Sequence, residues 1–289
     1  LGIQVDLEAL DRMGQETPVL VDLKPSGQHY MEDLQKAGGL VTVLRELRPL
    51  LHLDCMTVTG RTLGEEIDAA PPPWDQDVVR PFDNPLYPQG GIAVLRGNLA
   101  PDGAIVKQSA ASEHLMDHTG KAVVFEDQED LANRIDDPDL DVGPEDILVM
   151  KNAGPKGAPG MPESGYLPIP KKLATAGVKD MIRMSDARMS GTAFGSIVLH
   201  ITPESAAGGP LALVQNGDQI KLDVPNRRLD LLVDDAEMER RRAAWTPPPP
   251  HEGSDRGYLK LYLDHAQQAG EGVDFDFLAK PTDGRKTPV

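Results

Sequence analysis

One cysteine, Cys55, stands in 289 residues. No disulfide can close within the chain, and a lone thiolate holds neither an iron–sulfur cluster nor a structural zinc. Aromatic residues make up only 4% of the chain, so the core must rest on Leu, Val, Ile, Ala and Met. No apolar run reaches the roughly 18 residues of a membrane span, and no secretory signal is visible. The expectation is a protein of the reducing cytoplasm with no membrane partner. Positive charge is also scarce: 29 Lys and Arg face 46 Asp and Glu, for a net charge of −17. An acidic chain repels a phosphate backbone, which argues against nucleic acid as a partner. The seven histidines are scattered, with no HExxH or paired metal spacing. The opening LGIQVDLEALDRMG has no initiator Met and reads as an amphipathic helix already under way, so the chain is expected to be a piece of something longer.

What is present divides into two patterns. Residues 1–70 read mostly helical. Asp6 is placed to cap LEALDRMG, with Gly14 as its stop. HYMEDLQKAGG forms a second helix closed by Gly38 and Gly39, and LVTVLRELRPLL a third that ends near Pro49. AAPPPW, 69–74, is a stiff proline-rich linker, which puts a domain boundary near 71–85. Beyond residue 90 short β-branched runs take over: GGIAVLRGNLAPDGAIVK as two strands, KAVVFED, DILVMK, DMIRMS and RRLDLLV as one each, and SIVLH as a strand or a helical turn. PLALVQNGDQIKLDV reads as a hairpin turning at Asn216-Gly217-Asp218. QEDLANRI and DDAEMERRRAAW read as helices, the second with acids first and bases last, as the helix dipole favours. The fold class expected is a mixed α/β, barrel-like domain over roughly 85–245, followed after TPPPP by an apolar tail able to dock.

Two segments invite a chemical reading. KNAGPKGAPGMPESG, 151–165, is a rigid irregular loop in which glycines permit close backbone approach and prolines hold the shape. It lacks the Gly-Lys-Ser/Thr ending of a phosphate loop. Glu163 at its end offers a hard oxygen to a cation such as Mg2+, or is simply a solvated loop acid. SDARMSGTAFG, 185–195, exposes the hydroxyls of Ser190 and Thr192 with no histidine beside them. A turn rich in small residues accounts for them equally well. Thr202, followed by Pro203, has the signature of a helix cap. His200 reads as an interior, hydrogen-bonded histidine, and Cys55 as a small buried hydrophobe rather than a nucleophile. Asp54 and Asp186 are weaker candidates still, and the arginines of ERRRAAW read as a solvated helix end.

GPKGAPGMPE, together with SDARMSGTAFG…HITPESAAGGPLALVQNGDQIKLDVPNRRLDLLV, resembles the carboxyl-terminal half of the IlvD/Edd dehydratases. ETPVLVDLKPSGQHYMEDLQKAGGL and LHLDCMTVTGRTLGE are similar to the family's middle region, so the resemblance covers nearly the whole chain. Ser190-Gly191-Thr192 looks like the sugar-acid branch; the amino-acid branch typically carries Gly-Arg-Phe-Ser-Gly-Gly there. The resemblance implies a hydro-lyase that dehydrates an aldonate such as L-arabinonate to its 2-keto-3-deoxy acid. It implies Glu163 as a Mg2+ ligand, Ser190 as the catalytic base and Thr192 as a substrate-binding hydroxyl. It implies a 2Fe–2S cluster and further Mg2+ ligands held by the amino-terminal half of the same protein, and a dimeric or tetrameric assembly. Residues 1–80 would then end the amino-terminal catalytic α/β domain, 81–245 form a swivelling β-rich domain, and 246–289 a docking tail. Dihydroxy-acid dehydratase of branched-chain amino-acid synthesis is the alternative within the family. A non-enzymatic binding module is the alternative from another class, since a fragment without the cluster ligands should not turn over.

Overall fold

The structure is a computed structural model that describes residues 6–71, 74–165, 167–190 and 194–278. The chain separates into two compact units. One is Asp11–Gly91; the other holds the described residues from Ile92 on together with residues 6–10.

Helix α1 (Leu7–Glu16) crosses the division. Asp6 caps it through the Ala9 amide, as its sequence suggests. Gly14 does not stop it, because side chains bridge the last turn: Gln15 donates to Asp11 at 2.6 Å and Thr17 to the Met13 carbonyl at 2.7 Å. The smaller unit continues with α2 (Met31–Lys36), α3 (Gly39–Glu46) and α4 (Leu63–Ala69). Gly38, at φ 100°, makes the left-handed step between α2 and α3 that its position predicts. Thr62 and Glu65 form a reciprocal capping box at the start of α4. Cys55 lies in the loop before α4 and is exposed, correcting the reading of a buried thiol. Its backbone is tied to His52 and Leu63, while the neighbouring Met56 and Val58 are exposed as well.

The larger unit is built on one mixed sheet of eight strands, β1 (Ala93–Leu95), β2 (Gly103–Val106), β3 (Asp117–Phe125), β4 (Ile147–Met150), β5 (Arg183–Ser185), β6 (Ile197–Thr202), β7 (Gln219–Asp223) and β8 (Arg228–Leu231). Their order is β1-β2-β6-β5-β4-β3-β7-β8. At its edges the sheet bends round until Arg96, just after β1, bridges Arg228 of β8, so it closes nearly into a barrel. This is the mixed α/β barrel expected. Strands β3, β4, β5 and β6 are mutually parallel. Helix α5 (Gln128–Arg134) lies between β3 and β4, and α6 (Lys171–Thr175) between β4 and β5. Parallel pairing requires such crossovers.

The period-2 pleat splits each central strand between two cores. Ala122, Val124, Ile147, Val149, Ile182 and Met184 join the barrel interior. Val123, Phe125, Leu148 and Met150 face outward and pack under α5 and the 167–187 region with Leu131, Ile135, Leu167 and Met181. All four residues of β4 are therefore buried, as expected of a parallel strand covered on both faces.

The hairpin is displaced from its expected place. Pro210–Leu213 is a 3-10 turn whose Leu211 and Leu213 plug the barrel, and the antiparallel hairpin is β7–β8, turning at residues 224–227. Asn216 is occupied elsewhere: its side-chain oxygen accepts the Val124 amide at 2.7 Å. Thr202 is no helix cap. It ends β6, its hydroxyl donates to the His200 carbonyl at 2.8 Å, and a 3-10 turn over Ser205–Ala207 follows. Helix α7 (Asp235–Ala244) is capped by Asp234. Its Arg241 is not freely solvated but half-buried, bonded to Asp218 at 2.5 and 2.9 Å. The tail carries α8 (Gly257–His265) and belongs to this larger unit. No helix among the described residues is long and apolar enough to cross a membrane.

Candidate active site

In sheets with parallel strands, ligand sites form where loops leave the carboxyl ends. Two such loops carry the segments singled out in the sequence. Residues 151–165 leave β4 after Met150, and residues 186–196 leave β5 after Ser185.

Buried carboxylates nail both loops down at their roots. Asp186, 1% exposed, accepts the Ala153 amide at 2.9 Å and the Ser205 amide at 2.7 Å. It thereby joins the ends of β4, β5 and β6 at one point. Burial pushes its carboxyl up to about 6, against the pull of those two amides and helped by the nearby charge of Glu204. Glu204, also 1% exposed, accepts the Lys156 amide at 2.9 Å and the Gly157 amide at 3.0 Å. Gly154 is required here: a Cβ on it would come within 2.7 Å of the Glu204 carboxylate and 2.8 Å of its Cβ. At the far end of the second loop, Asp180 accepts from the Ser196 hydroxyl at 2.7 Å and pairs with buried Arg183 at 3.1 Å. Burial would raise the Asp180 carboxyl, but bonds from Ser196 and Ser112 and the Arg183 charge outweigh it and hold it low.

The outer ends of the two loops are stitched together by Arg188. Its guanidinium pairs with Glu163 at 2.9 Å and donates to the Met161 carbonyl at 2.6 Å, while its own carbonyl accepts the Gly165 amide at 2.8 Å. A Cβ on Gly165 would sit 2.7 Å from that carbonyl, so only glycine allows this approach. Asn152, Met161 and His200 hold left-handed backbone around the site, at φ 52°, 46° and 54°. Such conformations in residues other than glycine concentrate at functional sites.

The structure places Glu163 on the exposed rim and Ser190 half-buried, two residues beyond Arg188. Thr192 lies outside the described residues. His200 is partly buried; burial, and then the Arg188 charge, hold its imidazole below the usual range, so it is neutral at pH 7. Sequence reasoning passed over Glu204 and Arg188 and ranked Asp186 low. A Pro-Glu-Ser run ahead of Gly-Gly was the only local sign of Glu204, and nothing in it reports burial.

Tested against the metals its resemblance implies, the chain gives two answers. One exposed carboxylate, Glu163, is hard-oxygen chemistry suited to Mg2+, which commonly takes one or two carboxylates and fills its shell with water or substrate. A cluster does not fit: Cys55 is the single thiol. No three His, Cys, Asp or Glu converge on a metal site among the described residues.

Fold and site together describe a mixed α/β barrel unit with a candidate catalytic loop pair at the carboxyl ends of its parallel strands. The chain belongs to the dihydroxy-acid/6-phosphogluconate dehydratase family: residues 77–273 match the carboxyl-terminal family model and residues 1–66 the amino-terminal one. It is 50% identical to an L-arabinonate dehydratase of Rhizobium leguminosarum bv. trifolii over 96% of this chain and 48% of the relative. It is 50% identical to a 6-deoxy-6-sulfo-D-gluconate dehydratase of Pseudomonas putida over the same shares. It is 42% identical to a dihydroxy-acid dehydratase of Methanothrix thermoacetophila over 93% of this chain and 49% of the relative. The chain thus spans about half the length of the curated relatives it matches.

Proposed function

We propose that this chain is the carboxyl-terminal half of a sugar-acid dehydratase, a hydro-lyase that converts an aldonate such as L-arabinonate to its 2-keto-3-deoxy acid. The observation that carries the reading is the Glu163–Arg188 bridge, which ties the loop of Glu163 to the strand exit of Ser190. Relatives that act on sugar acids support the substrate class.

In this reading Ser190 takes the proton from C2, beside the substrate carboxylate. A serine hydroxyl is a weak acid, so its alkoxide needs several kcal/mol of electrostatic support, about the size that preorganised charges supply to developing oxyanions. Arg188, two residues along the chain, commits its guanidinium to Glu163 and the Met161 carbonyl, so its part is to tie the two loops together. Thr192 would donate to a substrate hydroxyl. Glu163 would hold Mg2+ with ligands from the amino-terminal half; when bound, the cation stabilises charge building on the substrate carboxylate. No described residue of this chain is assigned to the departure of the C3 hydroxyl. The cluster, like the rest of the Mg2+ shell, would come from that other half, and a homo-oligomer would form the working enzyme.

The test is turnover of L-arabinonate by the full-length protein carrying Ser190→Ala. The expected result is a loss of at least about a hundredfold in kcat, the usual worth of a positioned base. Activity near wild type would remove Ser190 from the reaction. The dihydroxy-acid dehydratase reading has its own support in a relative 42% identical. A substrate panel of dihydroxyisovalerate against pentonates separates the two.

A further inference from the structure

The tail after α7 returns to the loop that presents Glu163. Gln268 and Glu204 form a reciprocal pair: the Gln268 amide nitrogen donates to the Glu204 carboxylate at 2.7 Å, and its amide oxygen accepts the Glu204 backbone N–H at 2.9 Å. The same carboxylate holds the Lys156 and Gly157 amides. One buried acid therefore ties the tail and the loop to a single post. Around it, His251 bonds to the Lys156 carbonyl at 3.1 Å. Asp264 sets its charge near Lys156. The bonds from Glu204 and His251 fall on residues 156 and 157, a few residues before Glu163. Elsewhere the loop is held by Glu126 and Asp186 at its root and Arg188 at its tip.

We propose that Glu204 and Gln268 form a latch through which the carboxyl-terminal tail positions the loop carrying Glu163. They are positioning residues: neither touches Glu163, and both act by fixing the backbone that presents it. The effect on Mg2+ rests on the reading of Glu163 as a cation ligand; the latch itself does not. An isosteric exchange opens it. In Gln268→Glu two carboxylates meet where an amide and a carboxylate met, and like charges at hydrogen-bond distance repel. In the double variant, Glu204→Gln with Gln268→Glu, the amide and the carboxylate trade places. One oxygen at position 204 still accepts the loop amides, and the amide nitrogen there donates to the new acid.

The experiment uses the full-length protein. Hydrogen exchange of the peptide covering 153–163 is compared in wild type, Gln268→Glu and the double variant, alongside the Mg2+ concentration that half-activates turnover. The expected result for Gln268→Glu is exchange faster by about tenfold, as local opening becomes easier. Half-activating Mg2+ rises severalfold, kcat at saturating Mg2+ stays nearly unchanged, and the double variant restores both readouts. Wild-type exchange in Gln268→Glu overturns the latch, as does a double variant with wild-type melting temperature that fails to regain protection. Faster exchange with an unmoved Mg2+ requirement overturns its action on Glu163. Glu163→Gln is the separate control: an unchanged Mg2+ requirement there removes the cation role of Glu163, while the exchange result still decides the latch.

Discussion

Asp186 keeps its carboxyl group inside the protein with two backbone amides and a second buried acid for company. Burial raises its pKa from 3.8 to about 6, so the folded protein binds this proton more tightly than the unfolded chain. The sign follows. Below about 4 both states are protonated and the group is neutral in its effect. Between about 4 and about 6 the folded state holds extra proton, so stability falls as pH rises; above about 6 the full cost of the buried charge is present. Replacing it by Asn removes the titration and turns one acceptor against a backbone N–H, a loss that does not vary with pH. Urea unfolding of wild type and Asp186→Asn between pH 4 and 7 should therefore show wild type losing ground to the variant up to about pH 6 and then running parallel. A gap constant across the range would mean that Asp186 titrates in the folded protein as it does in the unfolded chain, and a gap still widening at pH 7 would mean that it stays protonated in its buried site. None of this could be read from DARMSG alone, because burial of the acid depends on Ala153, in the loop after β4, and Ser205, in the turn after β6.

Strand β4 shows how little of an element is needed to read it. ILVM has no polar residue, which already says that both faces are covered. Only the packing shows which face meets which core, with Ile147 and Val149 inside the barrel and Leu148 and Met150 outside it. Leu148→Ala should cost about 2–5 kcal/mol, the usual range for a buried leucine, measured by urea unfolding at pH 7. A cost below about 1 kcal/mol would show that the outer core collapses onto the cavity. The turn at Asn216-Gly217 stands, but the strand read before it and the Thr202-Pro203 cap were misread for a shared reason. Both have the right local chemistry, and both are overruled by distant partners: Val124 takes the Asn216 oxygen, and β2 pairs with Thr202. The boundary set by the Asp6 cap was legible because cap and helix are neighbours in sequence.

Taken whole, the chain has a single thiol, which is exposed, and a sheet that closes nearly into a barrel at the Arg96–Arg228 bridge. If it is half of a dehydratase, the cluster must be ligated by the other half. Iron and sulfide analysis of the purified 289-residue chain should find no stoichiometric cluster, whereas the full-length protein should carry one. A full complement of iron and sulfide in the isolated chain would contradict that division of ligands.

The amino-acid sequence by itself determined the class of fold, through short β-branched runs alternating with helices, and marked the two glycine-rich segments as irregular loops, which small-residue turns account for as well as a site does. These are local properties, written in neighbouring residues. Only the tertiary structure decided that Glu163 meets Arg188, that Asp186 and Glu204 are buried, and that Gln268 reaches back across 64 positions to hold the Lys156 loop. Each of these depends on which strand ends the parallel sheet brings side by side. A buried carboxylate is also stable only where enough backbone amides converge on it, and that convergence is a property of the assembled strands rather than of any one of them.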